Sequence, residues 1–225
     1  FTKARALDDK PLRVPVQDVY KFTLFGDNRR IVAGTVASGK IRAGDEVIFY
    51  PSGKRSTVKS LEEYGADTPE EVCAGETVGF TMEEQIYVRR GQVACLADEP
   101  APNISQRFRA SLFWLGKHPM LPKKQYVLKL GTERVKAEIE TIHRVIDASE
   151  LAGSDKQVIE HHDVAEVTFL MKHEMAFDTT QGIPDTGRFV IVDDYEIWGG
   201  GIVLEAVGDA EQTMLRDEVF LRNKK

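Results

Sequence analysis

The feature that most constrains the fold is a succession of short β-rich runs, broken by turn residues, from Leu12 to Leu96. In the first run, LRVPVQDVYKF, apolar Val14 and Val16 alternate with other positions, which is the period of a strand with one buried face. Many short strands in quick succession predict a closed barrel or a sandwich. The turn signals between the runs are Gly26-Asp27-Asn28, Ser38-Gly39, Ala43-Gly44-Asp45, Pro51-Ser52-Gly53, Gly75 and Gly91.

A second series of β-rich runs follows the proline-containing stretch ADEPAPNISQ, so we place a domain boundary near Pro100 to Asn103. Gly131-Thr132 has the composition of a hairpin turn. The sequence therefore predicts an all-β chain of two tandem antiparallel β-barrels, over residues 12–99 and 103–207. We expect residues 1–11 to be a linker and residues 208–225 a short C-terminal helical or linker tail. The strand candidates of the second half are FRASLFWL, QYVLKLGTERVKAEIETIHRVI, HDVAEVTFLMK, GRFVIVDDYE and IWGGGIVLEAV.

Composition narrows the class of protein. With 225 residues, 42% of them hydrophobic, the chain can bury the cores of two ordinary domains. No run approaches the roughly 18 consecutive apolar residues of a membrane helix, and we expect no membrane contact. Cys73 and Cys95 lie far apart, which favours a reducing compartment and a cytoplasmic location. The net charge of −6 makes nucleic acid an unfavoured partner.

One segment imitates a phosphate-binding loop. Gly34 to Lys40 satisfies the first seven positions of GxxxxGK[ST], but Ile41 stands where the hydroxyl should be. A phosphate loop must also open a helix, whereas Gly44 follows almost at once. We interpret the segment as a strand and turn of the first barrel.

Histidines and carboxylates give only weak signals of a metal or catalytic site. His161 and His162 would point to opposite faces if that run is extended, and no cysteine pair completes a zinc pattern. Glu138 and Glu140 should share the solvent face of one strand, opposite their apolar neighbours. The sequence predicts no catalytic, cofactor or metal site.

Two further motifs have structural or interfacial interpretations. Gly199-Gly200-Gly201 predicts a close approach of two backbones at the last strand. The basic pairs Arg29-Arg30 and Arg89-Arg90 are candidate contacts for an acidic partner or a phosphate.

The run RRIVAGTVASGKIRAGDEVIFYPSGKRSTVKSLEEY resembles the second domain of translation-type GTPases, of which elongation factor Tu is the familiar example. The Pro51–Lys54 turn and the later runs SLFWLGKHPMLPKKQYVLKLGTERVKAEI and GRFVIVDDYEIWGGGIV are similar to the GTP-binding large subunit of sulfate adenylyltransferase. The resemblance covers about Leu12 to Val207. The family signature G-T-V-x-S-G-x-I-x-x-G-D-x-V is met here by Gly34, Thr35, Val36, Ser38, Gly39, Ile41, Gly44, Asp45 and Val47.

The resemblance implies a non-catalytic role in sulfate activation to adenylylsulfate. The chain has no NKxD motif and no genuine phosphate loop, so GTP and Mg²⁺ are expected in a GTPase domain outside it. The implied partners are that GTPase domain, the small catalytic subunit, which makes adenylylsulfate from ATP and sulfate, and the adenylylsulfate kinase domain that follows in some relatives.

Two alternatives stay open from the sequence. The same barrels clamp aminoacyl-tRNA in translation elongation factors, although the negative charge argues against that function here. A self-contained enzyme on a barrel would need titratable groups with shifted pKa values that converge in a pocket.

Overall fold

The computed structural model describes residues 7–22, 29–62, 69–147, 153–154 and 158–208. These residues form two groups of antiparallel strands, and a single 3₁₀ turn, Pro184–Thr186, is the one helical element among them. The first group consists of β1 (Val14–Lys21), β2 (Arg30–Thr35), β3 (Lys40–Arg42), β4 (Glu46–Tyr50), β5 (Lys54–Glu62), β6 (Glu71–Cys73), β7 (Thr77–Met82) and β8 (Val93–Leu96). The second consists of β9 (Asn103–Trp114), β10 (Tyr126–Leu130), β11 (Glu133–Asp147), β12 (Gly153–Ser154), β13 (Asp163–Phe177), β14 (Arg188–Asp193) and β15 (Glu196–Ala206).

The first barrel closes in the strand order β1-β2-β7-β5-β4-β8, while β3 and β6 form a separate two-stranded ribbon. Alternate residues of each strand point inward, so Val14 and Val16 of β1 are fully buried, as are Val32 and Phe80, which are opposite each other on β2 and β7. A register shift between Val16 and Asp18 bends β1, which is how a β-bulge adjusts a strand to barrel curvature. The core is thus built from the apolar members of the alternating runs.

The second barrel has the strand order β10-β14-β15-β9-β13-β11, and pairing of β10 with β11 closes the ring, while β12 extends β11. Phe108, Phe169 and Phe189 meet in its core with ring centroids 5.5–5.8 Å apart. Such tilted and edge-on pairs add stabilisation to the burial of the rings.

The described chain divides into two compact units. The first contains the residues up to Ile104 together with Lys129–Arg134 and Met175–Gly187, and the second contains the remainder. No helix among the described residues has the length and apolar character needed to cross a membrane.

The predicted all-β architecture of two antiparallel barrels is confirmed. Gly131 has φ +54° in the turn between β10 and β11, as expected of a hairpin. The last run of the series from Leu12 to Leu96, QIYVRRGQVACLA, is only partly a strand, because only Val93–Leu96 of it pairs. The proposed domain boundaries stay a prediction, and the expected tail lies, apart from Gly208, outside the described residues.

The segment that imitates a phosphate loop belongs to the barrel. Gly34 lies in β2, Ser38 bridges to Arg13, and Lys40 begins β3. Gly39 has φ +73°, and a Cβ there would lie 2.6 Å from the Leu12 Cα, so glycine is required by the turn. The segment joins two strands and does not open a helix.

Candidate functional site

A shallow cavity of about 110 Å³ lies where the start of β2 meets the middle of β5 and the end of β7. Three of the seven residues that line it are cations, which gives the lining a formal charge of +3. β7 pairs with both β2 and β5, and this strand order brings together residues that are distant in sequence. The lining residues are Arg29, Arg30, Lys59, Ser60, Thr81, Met82 and Gln85.

Glu62 and Phe22 both contact the Arg29 side chain of this cavity. Its Nη1 donates to Glu62 Oε2 at 2.9 Å, and its guanidinium lies 5.8 Å from the centroid of the Phe22 ring. The Arg29 side chain is 52% exposed, so solvent screens the ion pair. The contacts therefore orient Arg29 more than they stabilise the fold.

A chain of hydroxyl groups also ends on Glu62. Ser60 Oγ donates to Glu62 Oε1 at 2.8 Å, and the hydroxyl oxygens of Ser60 and Thr81 are 2.5 Å apart. A hydroxyl has one proton, so Thr81 must donate to Ser60. Glu62 is thus occupied by Arg29 and Ser60, and no described carboxylate pairs with Arg30 or Lys59.

The second predicted basic pair lies elsewhere, in the connection between β7 and β8. Arg90 donates from Nε to the Thr132 carbonyl at 3.3 Å and from Nη1 to the Gln17 carbonyl at 3.1 Å. Arg89 is exposed. Neither residue lines the cavity, so the structure does not bring the two pairs together.

A buried ion pair within the first unit was not predicted from the sequence. Arg13 is 2% exposed, and its Nε and Nη2 donate to the two carboxylate oxygens of Asp178 at 2.9 and 3.2 Å. Nη1 donates to the Leu12 carbonyl and Nη2 also donates to the Pro100 carbonyl, and Thr186 Oγ1 donates to Asp178 at 2.7 Å. The available signal was a lone arginine inside an otherwise apolar run.

Burial and ion pairing shift the pKa of Arg13 in opposite directions. Burial disfavours the charged guanidinium, but the hydrogen bond and the charge of Asp178 outweigh it and raise the pKa of Arg13. Arg13 is therefore a charged structural clamp.

The second unit carries an apolar outer surface. Phe113 and Leu115 are two residues apart at the end of β9 and are 38% and 46% exposed, and Ile202 of β15 is 38% exposed. Phe113 pairs with Gly200, two residues from Ile202, so these side chains share one side of the sheet. We call Phe113, Leu115 and Ile202 the Phe113 face. The unbroken apolar run Leu112–Leu115 was a signal that both sides of β9 are apolar.

The adjacent histidines lie close together near the start of β13. His161 and His162 lie in a turn, and their ring centroids are 3.7 Å apart. The opposite-face arrangement is expected only for an extended run, and this condition is not met. His161 Nδ1 lies 3.1 Å from the carbonyls of Leu115 and Gly116, so that nitrogen carries a proton. His162 stacks on Phe113. Within the described ranges, no three His, Cys, Asp or Glu side chains are grouped to hold a metal.

In the described part of the chain, both thiols have raised pKa values, and several carboxylates are held in ion pairs. Burial raises the pKa of Cys95 to about 12 and also raises that of Cys73, and only the thiolate is a strong nucleophile. Glu140 pairs with Arg107 at 3.1 Å, and Asp193 pairs with Lys124. The absence of a catalytic centre stays a prediction.

Comparison with known proteins agrees with this architecture. The sequence profile of GTP-eEF1A C-terminal domain-like proteins matches residues 107–204. These residues form an eEF1A-type C-terminal domain. The eEF1A-type domain coincides with the strands from β9 to β15, apart from a few residues at either end.

Relatives that match most of the chain include two named as sulfate adenylyltransferase subunit 1. Sulfate adenylyltransferase subunit 1 of Shewanella oneidensis is 34% identical over 194 residues, which is 84% of this chain and 39% of that protein. The corresponding subunit of Teredinibacter turnerae is 32% identical, over 89% of this chain and 42% of that protein. The bifunctional enzyme NodQ of Rhizobium sp. is 30% identical, over 92% of this chain and 31% of that protein. The chain is therefore homologous to sulfate adenylyltransferase subunit 1 and spans about two fifths of its length.

Solved structures of Sup35 share the fold. The complex with GDP superposes with a TM-score of 0.80 and covers 89% of this chain and 48% of the Sup35 chain. The complex with GMPPNP superposes with a TM-score of 0.77 and covers 91% of this chain and 49% of the Sup35 chain. The sequence identity is 16% in both cases. The eEF1A-type domain and the barrel before it thus have the fold of the corresponding barrels of Sup35.

Proposed function

We propose that these barrels are the non-catalytic docking region of a GTP-dependent sulfate adenylyltransferase large subunit. In this role they couple the state of a GTPase domain to a small catalytic subunit that activates sulfate to adenylylsulfate. The homology to sulfate adenylyltransferase subunit 1 supports this proposal most strongly, because it extends over 84% of the chain. Two rigid barrels suit the transmission of a domain movement.

GTP and Mg²⁺ are proposed to bind in a GTPase domain outside these residues. Gly34–Ile41, the segment closest to a phosphate loop in sequence, joins β2 to β3 and contains no helix N-terminus. It therefore does not fit the phosphates of a nucleotide.

The Phe113 face is the proposed contact with the small catalytic subunit. The relatives are named as subunit 1 of an enzyme, and a subunit needs a surface for its partner. Exposed adjacent apolar side chains are typical of such a surface. The basic residues Arg29, Arg30 and Arg89 stay candidates for charged contacts, whereas Arg90 donates to two carbonyls of its own chain.

The GTPase domain and, in bifunctional relatives, an adenylylsulfate kinase domain are further proposed partners. Their contacts are not assigned to individual residues, and the proposed location is the cytoplasm.

Sedimentation velocity on the full-length protein mixed with the small sulfate adenylyltransferase subunit tests the docking role. We expect a stable complex that Phe113→Glu weakens by at least about tenfold, since a buried charge at an interface core is costly. Ile104→Glu is the control, because Ile104 is 40% exposed at the opposite end of β9. An unchanged complex with Phe113→Glu would remove the Phe113 face from the proposal, and no complex at all would contradict the docking role.

Filter binding with aminoacyl-tRNA separates this function from a translational one. We expect no salt-dependent binding of aminoacyl-tRNA, because the chain carries a net charge of −6 and would be repelled by the phosphates. Tight, salt-dependent binding would favour the elongation-factor function instead.

A further inference from the structure

The cavity of the first barrel concentrates positive charge in a chain that is acidic as a whole. Arg29, Arg30 and Lys59 line it, while the chain has a net charge of −6. Glu83 and Glu84 precede Gln85 in sequence, but neither lines the cavity.

The positive charges that line the cavity exceed the negative charges described beside them. Glu62 is taken up by Arg29 and Ser60, which leaves two cationic side chains without a described carboxylate partner. Like charges that converge in one depression repel each other. An anion between Arg30 and Lys59 would remove that repulsion.

The size and donors of the cavity define the class of anion. A volume of about 110 Å³ is well below the roughly 300–1,000 Å³ of sites for drug-sized ligands, so a whole nucleotide does not fit. The protons of Ser60 and Thr81 are already donated, to Glu62 and Ser60 respectively. The ligand must therefore be recognised by charge, through the guanidinium fork of Arg30 and the ammonium of Lys59.

We propose that this cavity binds a small tetrahedral oxyanion, with Arg30 and Lys59 as its charged donors. Arg29 stays with Glu62 and forms the fixed wall of the site. Free sulfate or phosphate and the terminal phosphate of a larger molecule share the required chemistry. The site lies wholly within the first barrel and does not depend on the proposed docking role.

Isothermal titration calorimetry of this chain with sodium sulfate tests the proposal, with sodium chloride at matched ionic strength as the reference. We expect saturable binding of one sulfate per chain and at least tenfold weaker binding by Arg30→Gln and by Lys59→Gln. Arg55→Gln is the matched control, because Arg55 lies on the same strand, is 61% exposed and pairs with Glu46 outside the cavity. The proposal would be overturned if titration with sulfate released the same heat as titration with chloride. It would also be overturned if Arg30→Gln and Lys59→Gln both bound sulfate as tightly as the wild type.

Two further arms identify the source of the anion and the place where it binds. Inorganic phosphate and adenosine monophosphate are titrated in parallel. If adenosine monophosphate binds as tightly as inorganic phosphate, the site accepts the terminal phosphate of a larger molecule. If sulfate and inorganic phosphate bind more tightly than adenosine monophosphate, the ligand is a free oxyanion. Backbone amide shifts on sulfate addition should centre on Arg30, Lys59 and Thr81. Shifts confined to other parts of the chain would contradict the assignment. Because the small subunit is absent from these titrations, their failure leaves the docking test unaffected.

Discussion

At the scale of single residues, Arg13 joins segments that are distant in sequence. It is buried, bonds both oxygens of Asp178, and holds the Leu12 and Pro100 carbonyls. A buried charge pair of this kind contributes little net stability relative to apolar residues, but removing one partner leaves a charge without compensation. The pair joins the start of β1 to the segment that follows β13.

Arg13→Ala is expected to lower the free energy of unfolding by about 3–5 kcal/mol, because Asp178 is left buried and uncompensated. Urea denaturation monitored by circular dichroism measures the change. The double variant Arg13→Met with Asp178→Leu should recover most of the loss. A single variant as stable as the wild type would contradict the clamp.

His143 gives the second unit a predicted dependence on pH. Burial and the charge of Arg109 lower the pKa of His143, against the opposing charges of Glu166 and Glu205. A lowered pKa in the folded state means that the unfolded chain binds the proton more readily. Stability is therefore complete above the ordinary histidine pKa of about 6.5 and falls as the pH drops below it.

Thermal unfolding between pH 7.5 and pH 5 compares the wild type with His143→Gln. The glutamine can still bond Thr168, which lies 2.8 Å from His143 Nε2, but it does not titrate. We expect a smaller loss of melting temperature on acidification in the variant. Identical losses in both proteins would show that His143 does not contribute.

At the scale of elements, β15 shows how residue choice sets strand contacts. Its triple glycine packs against β9 and β14, and a Cβ at Gly201 would lie 2.4 Å from the Ser111 carbonyl oxygen and 2.7 Å from Phe189 Cζ. No side chain fits at that distance. The close approach predicted for Gly199–Gly201 is thereby confirmed.

Gly201→Ala is expected to destabilise the protein by about 1–3 kcal/mol, the usual cost of overpacking. Gly182→Ala serves as the comparison, since a Cβ there would meet its nearest neighbour at an ordinary 3.5 Å. Denaturant midpoints of the two variants provide the measurement. If they shift equally, the contact with Ser111 is not the cause.

The elements also show how far sequence patterns reach. Alternation and turn residues predict most strands, because each strand buries one side and each turn needs glycine, proline or a short polar residue. They fail over Gln85–Gln92, where hydrogen bonds such as that from Arg89 N to Gln92 Oε1 replace pairing along a strand. The pattern of apolar residues there does not distinguish the two arrangements.

At the scale of the whole molecule, the candidate sites depend on strand order more than on local motifs. Arg30 and Lys59 line one cavity only because β7 pairs with both β2 and β5, which no local pattern predicts. Arg13 and Asp178 are likewise separated by 165 positions. The basic pair Arg29-Arg30 could be proposed from sequence, but its cavity could not.

The central claim is that these barrels serve GTP-linked sulfate activation. The most direct test is the rate of adenylylsulfate formation from ATP and sulfate by the full-length protein with its small catalytic subunit, with and without GTP. We predict that GTP accelerates formation and that Phe113→Glu abolishes the acceleration while Ile104→Glu retains it. Formation that is independent of GTP, or no formation by the assembled pair, would contradict the account.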